Sequence, residues 1–148
     1  MKPFAYLAYP VRGLLWANAI VFVFFSLAGI LGFSTVYGLS SWMVLIPERA
    51  YEAWRWVTYA FLHLDPFHFL FNMLMLWMFG DELAEWLGNR QFLGLYFFGA
   101  VVAAWVSIPF YAADWIGGRA AILGASGALF ALLVAYARLF PDRQILLF

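Results

Sequence analysis

From Gly13 to Phe33 the sequence carries no charged residue, and Lys2 and Arg12 stand before the run. About 20 apolar residues are enough to cross the hydrocarbon core of a bilayer. In that medium backbone N–H and C=O groups find no water, so the segment has to satisfy them itself, as a helix. A cleaved signal peptide has a shorter apolar region and a small-x-small cleavage site. Neither fits here, so the run is read as a first transmembrane helix. Composition agrees: the chain is 67% hydrophobic and 11% charged, against about 25% charged for an ordinary soluble domain. Basic and acidic residues number eight each, a balance that predicts no nucleic-acid partner. The chain has no cysteine, which excludes disulfides, iron–sulfur ligation and thiolate catalysis.

The rest of the chain reads as an all-α, polytopic membrane helical bundle. Ser34 to Asp65 is punctuated by Gly38, Ser40, Ser41 and Pro47, and mixes Glu48, Arg49, Glu52 and Arg55 with Trp42, Trp54, Trp56 and Tyr59. Aromatics among charges suit the headgroup region. The expectation is a long interfacial loop with short amphipathic helices. A second helix starts at Pro66 and continues past Asp81, Glu82 and Glu85 to Gly88, with Asn89-Arg90 as a short turn. Glu82 and Glu85 read as its solvated inner end. A third runs from Gln91 to Ala113, Asp114 to Arg119 forms a loop, and a fourth runs from about Ser126 to Phe140. The spans expected are therefore about 13–33, 66–87, 91–113 and 126–140 of a single domain over residues 1–148. Gln144 to Phe148 is apolar again and reads as the entrance to a further span. Lys2, Arg12, Arg90, Arg138 and Arg143 fall on one side, and Arg49, Arg55 and Arg119 on the other. The basic excess predicts a cytoplasmic N-terminus. The short N-terminal leader points to a bacterial inner membrane.

Polar side chains inside a span are costly and tend to be functional. His68, Asn72 and Ser126 are the candidates. His68 and Asn72 are four residues apart and share one face of their helix. The fourth helix is only about 22 Å long, so if its inner end reaches the inner interface, Ser126 lies submerged from the outside, near the depth of His68 and Asn72. Ser126 is then the first residue of a helix, where free N–H groups and the dipole favour negative charge. Gly124 and Gly127 allow a tight turn and close approach of a substrate backbone. The Ser126 N–H, the Asn72 amide and the His68 imidazole together offer the donors of an oxyanion hole.

Trp54-Arg55 in the first loop, His63-x4-His68-x3-Asn72 on the second span and Gly124-x-Ser126-Gly127 opening the fourth resemble the rhomboid intramembrane serine proteases, in the family's order. The resemblance implies Ser126 as nucleophile, His68 and Asn72 as oxyanion stabilisers, and a structural, half-submerged loop around Trp54-Arg55. It also implies a six-span core of which four are present, transmembrane protein substrates within the lipid bilayer, and no cofactor or metal. Two departures accompany it. The family's base is a histidine on its sixth span, which neither His63 nor His68 matches. The base is expected beyond Phe148, and these 148 residues alone are expected to be inactive. The family's glutamate four residues after the glycine ending the second span is replaced by Ala84.

Plainer readings stand beside these. Gly124 with Ala128, and Gly127 with Ala131, are small-xxx-small pairs suited to helix packing. Asn72 suits an interhelical hydrogen bond, and His68 a satisfied interior histidine. A metal site from His63, Asp65 and His68 straddles Pro66 and is disfavoured. The alternative function is a catalytically inactive rhomboid-like protein that binds client transmembrane helices. A channel or transporter half would need ion-path charges that the spans lack.

Overall fold

The computed structural model describes residues 3–63, 65–112 and 121–143. The expected loop from Asp114 to Arg119 and the apolar tail from Gln144 lie outside them. Among the described residues the architecture is a helical bundle without strands; its only extended pairing is one antiparallel bridge, Leu45 to Ile122.

Helix α1 spans Tyr9–Ile30. It begins one turn before the uncharged run, because Pro10 in the first turn gives up an N–H that a helix start does not need. The Ala8 N–H just ahead of it donates to the buried Asp81 carboxylate at 2.7 Å, which sets a negative charge against the positive end of the helix. The helix stops at Ile30 and the chain turns through Gly32, whose φ of +73° suits glycine.

The long connection contains α2 (Ser34–Met43), a 3-10 turn (Pro47–Arg49), the short α3 (Arg55–Thr58) and a second 3-10 turn (Tyr59–Phe61). Helix α4 spans Pro66–Leu87. Asp65 caps it, accepting from the N–H groups of Phe67 and His68 at 2.9 and 3.0 Å. That satisfies two of the donors a helix start leaves open. Gly88, at φ +80°, ends α4, and α5 (Asn89–Ala112) starts at once. Asn89 and Arg90 are thus the first turn of α5 rather than a separate connection: one glycine makes the reversal. Helix α6 spans Ser126–Leu139.

Small residues let α5 and α6 approach closely. A Cβ on Gly99 would lie 2.5 Å from the Ala131 Cβ, and one on Gly127 would lie 2.5 Å from the Ala103 Cβ. The small pair Gly127 and Ala131 therefore faces its counterpart, Gly99 and Ala103, across the helix interface. Gly124 takes no part in it. The fully buried core runs through Val11, Leu45, Leu76, Leu83, Phe92 and Leu132. Large apolar side chains such as Ile20, Phe71, Trp105 and Phe130 face outward, the inverse of a water-soluble surface. Helices α1 and α5 are each long and apolar enough to cross a membrane, and α6 is apolar but shorter. Glu82 is not simply solvated: it accepts from the Tyr136 hydroxyl at 2.8 Å and pairs with Arg143, joining the C-terminal end of α4 to α6 and the turn after it.

Candidate active site

Ser126 opens α6, half-buried, directly after Ala125 and a sharp turn at Gly124. Gly124 has φ +105°, a conformation that side-chain-bearing residues rarely adopt. Two anchors hold the turn. The Gly124 N–H donates to the Tyr59 carbonyl at 3.0 Å, and Leu45 and Ile122 exchange backbone hydrogen bonds of 3.1 and 2.9 Å. The long loop therefore fixes the approach to Ser126 through backbone contacts.

Gly124 packs directly against the two polar residues of α4. A Cβ there would lie 2.6 Å from both His68 Cε1 and Nε2, and 3.8 Å from Asn72 Nδ2. Only a glycine fits. Asn72 is buried and its Nδ2 has no hydrogen-bond partner among the described residues. Orphaned buried donors are uncommon enough to require an explanation. His63 stacks edge-on to His68 with ring centroids 5.0 Å apart. Among the described residues its ring nitrogens make no hydrogen bond of good geometry, although the Phe61 backbone acts on the ring. Burial, and then the neighbouring His68, lowers its pKa to about 4, so the imidazole is neutral at physiological pH. Asp65, the third member of the disfavoured metal trio, is engaged as the α4 cap. Among the described residues no three acidic or histidine side chains are grouped to hold a metal.

Trp54 and Arg55 lie away from this cluster. Arg55 is fully buried and collects the loop around itself: it pairs with Glu52 and donates to the carbonyls of Ser41 and Val44, the latter at 2.6 Å. The partly exposed Trp54 donates its indole N–H to the Trp42 carbonyl at 3.0 Å and stacks on that ring.

Tyr59 escaped the sequence reading, which assigned it to the interface with the other aromatics. Its carbonyl holds Gly124, and its hydroxyl donates to the Ala100 carbonyl on α5 at 2.7 Å. The same hydroxyl would lie 3.1 Å from a Cβ on Gly127. Asn18 was also passed over, although it is a fully buried polar residue inside α1. Its amide donates to the Leu14 carbonyl at 2.8 Å and it lies beside the Tyr96 hydroxyl. A polar side chain in an otherwise apolar run was the available signal.

A family model described as the Rhomboid domain matches residues 50–148. The chain belongs to the rhomboid family. The matched region contains every motif residue above, from Trp54 to Gly127. Among relatives, the chain is 40% identical over 89 residues to Rhomboid protein 1, mitochondrial, of Saccharomyces cerevisiae, covering 60% of this chain and 26% of the relative. It is 29% identical over 135 residues to Presenilin-associated rhomboid-like protein A, mitochondrial, of Danio rerio, covering 91% and 33%. It is 34% identical over 82 residues to Rhomboid protease GlpG of Yersinia pestis, covering 55% and 27%. The chain spans about a quarter to a third of the length of these curated relatives. Rhomboid-family proteins are integral membrane proteins, and the family includes intramembrane serine proteases.

Proposed function

We propose that this chain carries the nucleophile and the oxyanion-stabilising side of a rhomboid-type intramembrane serine endopeptidase. Its substrates in this reading are transmembrane proteins. One observation carries the reading: the His68 imidazole and the Asn72 Nδ2, which has no partner among the described residues, converge on Gly124, two residues before Ser126 at the start of α6. Ser126 Oγ attacks the carbonyl carbon of the scissile peptide bond while its proton passes to a general base. In this reading His63 and His68 do not serve as that base. The carbonyl oxygen becomes an oxyanion and accepts from His68, Asn72 and the Ser126 N–H, each donor worth about 2.7–4 kcal/mol of barrier. Collapse of the tetrahedral intermediate expels the amine, which takes the proton, and water then hydrolyses the acyl-serine ester.

In the same reading α1, α4, α5 and α6 cross a bacterial inner membrane with the N-terminus in the cytoplasm, and Ser126 faces a cavity open to the outside. The test is fluorophosphonate labelling of the intact protein in detergent. Labelling is expected in the wild type and absent in Ser126→Ala, with His68→Ala and Asn72→Ala labelled roughly a hundredfold more slowly, as for loss of one oxyanion donor. Equal labelling of wild type and Ser126→Ala, or none in a folded wild type, defeats the protease reading. The second result leaves the client-binding alternative.

A further inference from the structure

A groove of about 430 Å³ that Ser126 does not line lies between α1 and α4, walled by Leu15, Trp16, Ala19, Phe69, Leu70 and Trp77. Its volume is that of a small-molecule site, and its walls are almost wholly apolar. Phe22 stacked on Phe69, with centroids 4.4 Å apart and planes 8° from parallel, lies at its outer end. At the inner end Phe4 forms the rim, packed edge-on against Trp16 at 5.7 Å.

Arg12 stands at that rim. It is three, four and seven residues before the wall residues Leu15, Trp16 and Ala19, so it belongs to the same stripe of α1, one turn nearer the N-terminus. Among the described residues its one hydrogen bond is a 3.3 Å contact from Nη1 to the Ala5 carbonyl, next to Phe4. A guanidinium has five N–H donors, and four of them have no hydrogen-bond partner among the described residues. The nearby Asp81 carboxylate is buried and accepts the Ala8 N–H at 2.7 Å. An apolar trough with a stacked-ring stop at one end and a cation at the other matches a molecule with a long hydrocarbon chain and an anionic head. Basic groups beside helix clefts on the inner membrane face bind lipid head groups.

We propose that this groove is a binding site for one anionic glycerophospholipid of the inner leaflet, with an acyl chain between α1 and α4 and its phosphate on Arg12. The proposal rests on the membrane orientation above and not on the role of Ser126. It is tested by native mass spectrometry of the intact protein in mild detergent with added phosphatidylglycerol or phosphatidylcholine. One phosphatidylglycerol per chain is expected, retained about tenfold better than phosphatidylcholine. Ala19→Trp, which fills the trough, removes it. Arg12→Gln abolishes the preference between the two lipids. Leu74 on α4 also lines the groove, so Leu74→Trp fills the trough from that side and serves where Ala19→Trp does not fold, folding being read from the thermal transition. Unchanged retention in a folded groove-filling variant overturns the site, and an unchanged preference in Arg12→Gln overturns the headgroup assignment. Conversion of a dimer to a monomer by the groove-filling change, with no lipid bound to either, assigns the groove to a protein contact and also overturns the proposal. Because none of these readouts involves Ser126, an inactive protein leaves the lipid result interpretable.

Discussion

Gly124 is the residue on which the geometry of the site turns. Its φ of +105° is strained for any side chain, and a Cβ would press to 2.6 Å of the His68 ring. Both effects act on the same few atoms, so a substitution there moves His68 and the start of α6 before it disturbs the core. Gly124→Ala is expected to keep its helical content and lose a few degrees of thermal midpoint. Its Ser126 fluorophosphonate labelling rate is expected to fall about a hundredfold, comparable to loss of one oxyanion donor. A labelling rate within threefold of wild type would show that His68 and this turn do not need each other. The need for glycine at 124 was legible as Gly-x-Ser-Gly. That the close neighbour is His68, more than fifty residues away, was not, because periodicity along a chain reports faces of one helix and never which face meets which.

The long loop behaves as an element in its own right, and Arg55 is its centre. A buried guanidinium is tolerable only with partners. Here the partners are Glu52 and the carbonyls of Ser41 and Val44, which end and follow α2. The loop in turn holds the Ser126 turn through Leu45 and Tyr59. Arg55→Ala leaves the partly buried Glu52 carboxylate and two loop carbonyls without their shared donor and is expected to cost about 1–3 kcal/mol, read by thermal or denaturant unfolding in detergent. Arg55→Lys recovers only part, since an ammonium cannot span several carbonyls with a planar fork. A loss below 1 kcal/mol in Arg55→Ala means the loop is held by its tryptophans instead. The sequence marked Trp54-Arg55 as a motif and the stretch as structured. Its hydrogen bonds run to backbone carbonyls 11 and 14 residues away, and carbonyls carry no sequence signature.

For the whole molecule, the proposed orientation rests on which ends of the bundle carry the basic residues. The chain has no cysteine, so a single introduced thiol is a clean reporter. Tyr51 in the loop is 80% exposed, and Arg90 lies exposed at the opposite end of α4, just past Gly88. In intact spheroplasts, Tyr51→Cys is expected to react with a membrane-impermeant maleimide, whereas Arg90→Cys reacts only after the membrane is opened. The reverse pattern inverts the orientation, and reaction of both in sealed cells removes α4 as a membrane crossing.

The sequence by itself determined that the chain is a bundle of apolar helices and where most of them begin and end. It also placed His68 beside Asn72 on one helix face and Ser126 at a helix start. These are local matters, set by charge-free runs, proline and glycine positions and a 3.6-residue period. Tertiary structure decided that Gly124 meets His68 and that Gly127 meets Ala103. It decided that Tyr59 ties the loop to α5 and to the Ser126 turn, that Glu82 is bound to α6, and that a groove lies open between α1 and α4. Each of these depends on the packing of two or more elements distant in the chain. Contact of that kind is a property of their relative placement, which no single stretch encodes.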